Sequence, residues 1–459
     1  MEEFDVVILG AGISGIAAAM RAVELDAKVC LIERAKIGGR CVHKGLYPYR
    51  FMMDQLERKR MPRRVCDSVE ASAAEPGADF TELFGRAETL SKSIAKMRQS
   101  QLESRGVRLI NAPGVLVGSR EIQIQNSQKE ETVRGKSIII ATGSTVSASA
   151  TIPFDGEKII AADDVFQMRQ IPESVLILGG GRVGCEWATL FNSLGSKTFL
   201  CDDHPRLLRE QDPNVTETVE NELKRQKVKI LLNKRIISIF KDGNKIDIAL
   251  DGGVKFSVNV IVVTTPRRAG TRDLHAGPLG IRLGEHNQVL VDETTETTAK
   301  GVFAVGSVTG RQSYDCFSEE EGRVAAENAL GKKARLNADW VPQIIYTRPE
   351  IATVGCFARD AHHQGFRAVE GKVDISEIDH SLIHEEARGF FKVVADKTTK
   401  KVIGGQIVAE GASEAIALIL LAIKKGLPIN SLARLSCGGS TRFQGIREAA
   451  KACVKAINS

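Results

Sequence analysis

Apolar and polar positions near the start of the chain follow first a strand pattern and then a helix pattern. Residues 4–9 form a mostly apolar run typical of a buried strand, and residues 16–25 place apolar side chains at helical spacing. Residues 27–32 form a second apolar run, which is followed by Glu33. Because residues 10–15, Gly-Ala-Gly-Ile-Ser-Gly, join the first run to the helix, the pattern predicts a βαβ unit that binds a dinucleotide.

Each part of this unit has a physical role in holding a dinucleotide. Gly10 makes the sharp turn, Gly12 lets the backbone approach a pyrophosphate, and Gly15 lets the helix pack on the strand. Ser14 belongs to the same turn, and the amino terminus of the helix faces the phosphate charge. Glu33 follows Gly15 by 18 residues and is placed to accept a hydrogen bond from a ribose hydroxyl.

The same pattern returns in the middle of the chain. Residues 174–178 form an apolar run, residues 179–184 read Gly-Gly-Gly-Arg-Val-Gly, and residues 197–201 form the next apolar run. Two dinucleotide sites in one chain are typical of an enzyme that holds FAD and exchanges a hydride with a nicotinamide nucleotide. The residues predicted to contact the second nucleotide are Gly179, Gly181, Val183, Gly184, Glu186, Asp202 and Asp203.

Composition and charge exclude several other classes of protein. The 63 Lys and Arg exceed the 57 Asp and Glu by only six charges, which is too weak an excess to indicate a nucleic-acid or anionic-membrane partner. No apolar run approaches the length of a membrane span, and the acidic first residues favour a cytoplasmic protein. The nine cysteines are scattered without zinc-type spacing, so neither a disulfide framework nor a bound metal is expected.

Five signals in order resemble the FAD-dependent pyridine nucleotide–disulfide oxidoreductases. Beyond the two glycine-rich turns, residues 138–144 are similar to the strand and Ala-Thr-Gly turn that close the first FAD segment. Residues 301–307 are similar to the second FAD motif, and residues 346–355 to the start of the interface domain. The resemblance implies FAD contacts from Gly10, Gly12, Ser14, Gly15, Glu33, Gly39, Arg40, Cys41, Ala141, Thr142, Gly143, Gly306 and Ser307.

The resemblance also implies the domain organisation. It predicts an α/β fold of two Rossmann-type dinucleotide-binding domains plus a C-terminal α/β interface domain through which the chain forms a homodimer. The implied segments are 1–148 and 276–340 for the FAD-binding domain, 149–275 for the NAD-binding domain and 341–459 for the interface domain. Periodicity alone predicts paired strands at 390–394 and 402–408, a helix at 415–424, and a loop at 62–79.

The stretch that carries the family's redox disulfide departs from the family pattern. Disulfide-reducing members have a second cysteine after Gly-Gly-x-Cys, but here residues 38–50 contain Cys41 alone, with Leu46 at the second position. The resemblance implies that the second sulfur takes electrons from the flavin, so Leu46 removes that acceptor. Cys41 is then either a small apolar side chain or a redox residue in its own right.

A second departure agrees with the loss of disulfide chemistry, and a third bears on the binding of FAD. Members that reduce disulfides carry a His and a Glu near the carboxyl end, where this chain has Gly439 and Gln444. Neither residue moves a proton at neutral pH, so dihydrolipoamide dehydrogenase or glutathione reductase activity is not expected. Ser307 replaces the aspartate of the second FAD motif, which removes a carboxylate contact with the ribityl chain.

The half of the site that handles the nicotinamide matches the family better. Arg50 replaces the family's lysine and Glu186 matches the glutamate that pairs with it, and a positive group beside the flavin favours hydride uptake. Asp202 and Asp203 suit a free ribose 2′-hydroxyl and repel a 2′-phosphate, which favours NADH over NADPH. His43 either helps to bind an acceptor or is a solvated side chain.

The sequence therefore predicts an FAD-dependent NADH oxidoreductase with a non-disulfide acceptor. Residues 41–45 and 184–189 resemble the soluble pyridine nucleotide transhydrogenases of the family, so a second nicotinamide nucleotide, a quinone or a dye-like molecule is the expected acceptor. The predicted catalytic residues are Arg50, Glu186, Cys41 and His43. The alternative is a dihydrolipoamide dehydrogenase-like pseudoenzyme that serves as a structural or partner-binding dimer.

Overall fold

The computed structural model describes residues 2–65, 81–125, 131–149, 151–311, 314–384 and 388–459. The helices in these ranges are α1 (Ile13–Val23), α2 (Gly39–His43), α3 (Leu46–Val65), α4 (Thr81–Ser104), α5 (Arg182–Ser193), α6 (Pro213–Arg225), α7 (Asp315–Ala329), α8 (Asp379–Ile383), α9 (Ala412–Lys424), α10 (Ile429–Ala433) and α11 (Phe443–Asn458).

Strands and helices alternate over much of the chain. The strands are β1 (Glu2–Leu9), β2 (Val29–Ile32), β3 (Arg108–Ile110), β4 (Gly114–Gly118), β5 (Glu121–Ile124), β6 (Glu131–Ile140), β7 (Ser144–Val146), β8 (Ile159–Ala161), β9 (Ser174–Leu178), β10 (Lys197–Cys201), β11 (Lys229–Leu231), β12 (Ile236–Asp242), β13 (Lys245–Leu250), β14 (Lys255–Val258), β15 (Val260–Val263), β16 (Arg267–Ala269), β17 (Val302–Ala304), β18 (Gln343–Ile345), β19 (Glu350–Gly355), β20 (Ala368–Asp374), β21 (Phe390–Asp396) and β22 (Val402–Ala409).

The chain divides into two compact units. The first comprises Met1–Leu178, Ser193–Lys197 and Ile236–Leu336. The second comprises Gly179–Asn192, Thr198–Arg235 and Asn337–Ser459. The domain boundaries expected from the family resemblance stay a prediction.

A seven-stranded sheet organises the first unit. Its order is β3-β2-β1-β6-β5-β4. The long strand β6 pairs with β5 through residues 131–134 and with β17 through residues 138–140. The pairs β3-β2, β2-β1, β1-β6 and β6-β17 are parallel. Apolar side chains on both faces are fully buried, as is usual for parallel strands, and α1 packs on α7 against one of these faces. The sheet therefore brings the carboxyl ends of β1, β6 and β17 to one edge, where ligands bind in such folds.

Smaller sheets complete the first unit. Strands β8, β15 and β9 are parallel, with β15 between the other two. Strands β12, β13 and β14 form an antiparallel meander, and β7 pairs with β16.

The second unit contains a five-stranded antiparallel sheet. Its order is β18-β19-β22-β21-β20, with Phe390 opposite Val408 in the pair predicted from periodicity. One core joins this sheet to α9 and α11. The second unit also contains the parallel pair β10 and β11. Along the chain α5 precedes β10, and α6 connects β10 to β11.

Two features of the first unit differ from the sequence-based expectations. The loop predicted from residue 62 begins later, since α3 continues through Pro62 to Val65. The rest of that predicted loop, from residue 66, lies outside the described residues. The 24-residue helix α4 was not predicted, because its charged and polar residues give only a weak apolar stripe.

No helix within the described ranges combines the length and the apolar character needed to cross a bilayer.

Candidate active site

The glycine-rich turn between β1 and α1 leaves open space at the start of the helix. Gly10 has a φ of +110°, and a Cβ on Gly15 would lie 1.9 Å from the Gly10 carbonyl oxygen. A Cβ on Gly12, by contrast, would have no atom within 4 Å. Gly12 caps α1 without a side-chain hydrogen bond, so the first N–H groups of the helix face this space. The arrangement fits a pyrophosphate.

The turn before α5 has the same geometry. Gly179 has a φ of +106°, and a Cβ on Gly184 would lie 1.7 Å from the Gly179 carbonyl oxygen. A Cβ on Gly181 again meets nothing within 4 Å. Val183 lies in the first turn of α5. Both turns thus combine a first glycine with a positive φ, an open second glycine and a tightly packed third glycine.

An acidic residue closes each turn through the same hydrogen bond. Glu33 Oε2 accepts the Ala11 N–H at 2.7 Å, and Asp202 Oδ2 accepts the Gly180 N–H. Acceptor and donor are 22 residues apart in both cases. Asp202 is therefore the counterpart of Glu33. Asp203, with 43% of its side chain exposed, has no counterpart in the first turn and contacts His204 and Arg235 instead.

Residues 141–143 and the second FAD motif at 306–307 lie close to each other and to the first glycine-rich turn. A Cβ on Gly306 would lie 2.6 Å from Ser14 Oγ, and a Cβ on Gly143 would lie 3.8 Å from Ser307 Oγ. Ala141 is buried, and the hydroxyl of Thr142 is buried without a hydrogen-bond partner in the part of the chain that the structure describes. An unsatisfied buried hydroxyl beside an uncapped helix terminus fits a polar ligand such as FAD.

The stretch around Cys41 approaches the same turn. A Cβ on Gly39 would lie 3.0 Å from the Gly12 Cα, which places α2 against the open space. Cys41 lies on α2 and is half-buried, and His43 Nε2 lies 2.9 Å from the Ile37 carbonyl oxygen. Leu46 begins α3 immediately afterwards.

Arg40 is held by a network that sequence reasoning did not find. Its Nε donates to Asp163 at 2.8 Å, and Arg267 donates to both oxygens of the same carboxylate at 3.1 and 3.0 Å. Burial raises the pKa of Asp163, but the bond from Arg267 and the charge of Arg40 outweigh it, and the pKa lies below its usual value. Arg267 also bonds Ser144. The network fixes the helix that carries Cys41, so Arg40 has a positioning contact besides its predicted role at FAD.

Glu321 is a second residue that the sequence analysis assigned no role. It lies on α7, is fully buried, and its Oε2 accepts the Gly306 N–H at 2.8 Å. The nearest cation, Arg311 Nη1, lies 3.9 Å from Oε1, too far for a hydrogen bond. Burial raises the pKa of Glu321 to about 7, against smaller opposing effects of the Gly306 N–H and Arg311. A carboxyl that changes charge near neutral pH thus supports the second FAD motif.

A cavity of about 250 Å³ lies in the first unit. Val42 and Tyr47 contribute to its wall together with residues of α1, α4 and α7. Arg98 hydrogen-bonds the Tyr47 hydroxyl and lowers its pKa, but burial has the larger effect and raises it. Tyr47 therefore stays a protonated donor in a cavity that also contains apolar and charged groups.

Glu186 is buried on α5 of the second unit. Its carboxylate lies 3.2 Å from Arg182 Nη1 and accepts the Tyr346 N–H at 3.2 Å. Arg50 lies exposed on α3 of the first unit. The pairing of Arg50 with Glu186 stays a prediction.

The C-terminal stretch offers no acid at the two predicted positions. A side chain at Gly439 would meet nothing within 4 Å, and Gln444 Nε2 lies 3.4 Å from Asp379 Oδ2. The buried imidazole of His380 contacts this stretch, with Nδ1 2.6 Å from the Ser440 carbonyl oxygen. No sequence signal links His380 to residues 60 positions away.

Comparison with known proteins decides the family. Residues 4–330 match the family described as pyridine nucleotide-disulphide oxidoreductase, and residues 341–438 match its dimerisation domain. The chain belongs to this family. Pyridine nucleotide-disulfide oxidoreductases bind FAD and NAD(P), so the chain is an FAD-dependent oxidoreductase, and the predicted cofactor classes and α/β fold are confirmed. The dimerisation domain supports the predicted homodimer.

Several members of the family align over most of their length. A dihydrolipoyl dehydrogenase from Chlamydia muridarum is 27% identical over 430 residues, covering 93% of this chain and 92% of that protein. A mercuric reductase from Bacillus cereus is 26% identical over 453 residues, covering 97% of this chain and 70% of that protein. The structure of LpdA from Mycobacterium tuberculosis superposes with a TM-score of 0.90 at 24% identity, over 98% and 99% of the two chains, which shows a shared fold.

Proposed function

We propose that this chain transfers a hydride from NADH to FAD and passes the electrons to an acceptor that is not a disulfide. Leu46 carries the proposal, because it begins α3 at the position of the second redox cysteine. No disulfide occurs among the described cysteines, and Cys41 lies on α2 with Leu46 at the position where the family has its second sulfur. With a single cysteine in this stretch, no redox disulfide can form here to receive electrons from the flavin.

FAD supplies the ring system that accepts and donates the hydride when it is bound. The chain supplies the binding contacts: the open turn at Gly12 takes the pyrophosphate, Glu33 takes a ribose hydroxyl, and Thr142 offers its unsatisfied hydroxyl. Glu186 and Arg50 are proposed to align the nicotinamide. The same open geometry at Gly181 with Asp202 suits NADH.

The cavity lined by Val42 and Tyr47 is the proposed site of the acceptor. Its apolar wall from α1 suits a planar apolar molecule, and the Tyr47 hydroxyl supplies a hydrogen-bond donor. A quinone or a dye with a carbonyl oxygen has both features, whereas a disulfide gains nothing from them without a nearby thiolate. A cytoplasmic location, expected from the sequence, stays part of this proposal.

An anaerobic titration with NADH tests the electron count. The purified protein should be yellow, should bleach with NADH, and should take up two electrons per FAD, while Leu46→Cys should take up four. Cys41→Ser in the Leu46→Cys background is the matched control and should return the count to two. A four-electron endpoint in the unmodified protein contradicts the proposal, and a colourless protein that binds no FAD supports the pseudoenzyme alternative.

A steady-state screen tests the acceptor. Quinones and dyes should be reduced faster than lipoamide or glutathione disulfide. Tyr47→Phe should lower kcat/KM for a quinone by about three- to tenfold, the cost of one lost hydrogen bond, without changing the rate of FAD reduction by NADH. Substantial lipoamide turnover by the unmodified protein would overturn the proposal.

A further inference from the structure

A lysine of the five-stranded antiparallel sheet is buried together with its charge. Lys392 lies on β21 with 2% of its side chain exposed, and its Nζ donates to Asn214 Oδ1 at 2.7 Å. Asp212 Oδ1 lies 3.3 Å and Glu370 Oε2 lies 3.4 Å from the same nitrogen. A buried ammonium is costly unless it is paired and hydrogen-bonded, so these oxygens are held firmly against it.

Two of these partners form the start of α6. Asp212 is the residue before the helix, and its carboxylate accepts the Asn214 N–H at 2.9 Å. Lys392 therefore holds the cap of α6 at two points, from a strand 180 residues later in the chain. Removing the ammonium takes this counter-ion from the buried Asp212 carboxylate, so the start of the helix is expected to shift toward water.

The chain before α6, residues 207–212, is bonded to the second glycine-rich turn. We call it segment 207–212. Within it the Gln211 N–H donates to the Leu208 carbonyl at 2.7 Å, and the Leu208 N–H donates to the Gly180 carbonyl at 2.9 Å. The Gly180 N–H donates to Asp202. Segment 207–212 thus holds the carbonyl of Gly180, while Asp202 holds its N–H.

Leu208 has a backbone conformation that depends on its surroundings. Its φ of +46° lies in the left-handed region, which a residue with a side chain adopts at a cost. Its side chain is buried, and the end of the segment is held by Lys392 and by Gln211 Nε2, which donates to Gln343 on β18 at 2.9 Å. The bond from Leu208 to the turn therefore relies on anchors in the sheet.

We propose that Lys392 is a positioning residue for the nicotinamide nucleotide: through the cap of α6 and segment 207–212 it keeps the Gly180 turn in the shape that binds the pyrophosphate. The inference rests on the proposed nucleotide site at this turn. Gly180 stands between Gly179, which has a positive φ, and Gly181, where a Cβ would meet nothing within 4 Å. A shift of Gly180 therefore moves the open position that the pyrophosphate must approach.

Calorimetric titration of the FAD-loaded protein with ADP-ribose tests the proposal without turnover. Lys392→Met keeps an unbranched apolar side chain and removes the charge, and it should weaken ADP-ribose binding about tenfold. Hydrogen exchange at the Leu208 amide should be faster in this variant, because its bond to Gly180 is loosened. A role confined to stability would lower Tm and leave ADP-ribose affinity unchanged, and that result overturns the proposal.

Lys372→Met is the matched control. Lys372 lies opposite Lys392 on the neighbouring strand β20, but it is exposed and pairs with Asp374 at 3.1 Å. The control removes the same charge from the same level of the sheet, so ADP-ribose affinity should stay within twofold. An equal loss in both variants would reveal a general effect of charge and would overturn the proposal.

Two substitutions of Asn214 test the same connection if Lys392→Met does not fold, because Lys392 then still faces Asp212. Asn214→Ala loses the bond of 2.7 Å and should weaken ADP-ribose binding about threefold. Asn214→Asp keeps an acceptor at this position and should stay within twofold of the unmodified protein. Equal affinities for these two variants overturn the proposal.

Failure of the proposed function gives a different result. If the unmodified protein binds no ADP-ribose and its FAD is not bleached by NADH, the proposed function and this inference are both overturned. If the unmodified protein binds ADP-ribose and none of the variants changes the affinity, only the positioning role of Lys392 is overturned.

Discussion

Replacing Glu321 by glutamine tests whether one buried carboxyl makes stability depend on pH. Glutamine keeps an oxygen that can accept the Gly306 N–H and removes the ionisable proton. In the native protein burial raises the pKa of Glu321 from 4.5 to about 7, and the Gly306 N–H, Arg311 and Thr309 offset only part of this effect. The side chain is fully buried, so solvent does not screen the effect.

The sign and size of the effect follow from proton linkage. Below pH 4.5 the carboxyl is protonated in both states, and its contribution to stability is fully present. As pH rises toward 7, the unfolded chain releases the proton first, so native stability falls, and the loss is complete once pH exceeds the native pKa. A shift from 4.5 to about 7 corresponds to about 3 kcal/mol.

Thermal unfolding of the FAD-loaded protein between pH 5 and 8.5 measures the difference. Tm of Glu321→Gln minus Tm of the unmodified protein should rise through this range by a few degrees and then level off. Hydrogen exchange at the Gly306 amide should slow in the variant at pH 8. Glu319→Gln, an exposed change on the same helix, should show neither effect. A difference in Tm that is independent of pH would refute the reasoning.

Three other predictions concern the turn and the cysteine stretch. Gly12→Ala should lower FAD affinity at least about tenfold with little change in apoprotein Tm. Gly15→Ala should lower both the FAD affinity and the apoprotein Tm, because its Cβ meets a carbonyl oxygen at 1.9 Å. Equal apoprotein Tm values for the two variants would contradict this prediction. Asp163→Asn removes the charge that pairs with Arg40 and Arg267 at a nearly buried site and should cost about 3 kcal/mol, seen as a lower Tm and faster exchange in α2. An unchanged Tm counts against the network. Cys41→Ser should keep NADH–dye turnover within about twofold, and its loss would assign a redox role to the thiol.

The sequence by itself determined the parts of the fold that depend on local pattern. Apolar runs, glycine spacing and terminal acids are all contained within about 30 residues, so they predict both dinucleotide turns and the strands that flank them. The strands at 174–178 and 197–201 have the predicted bounds. Leu46 and Gly439 were also identified from sequence, because a missing residue type is visible without coordinates.

Only the tertiary structure decided which side chains act together over long distances. Arg40 meets Asp163 across 123 residues, and Glu321 meets Gly306 from a separate element. The sequence shows Asp202 and Asp203 as equivalent neighbours, yet one faces the glycine loop and the other faces Arg235. Local patterns fix secondary structure, whereas hydrogen bonds and burial of charge depend on the folded surroundings, which no short stretch of sequence contains.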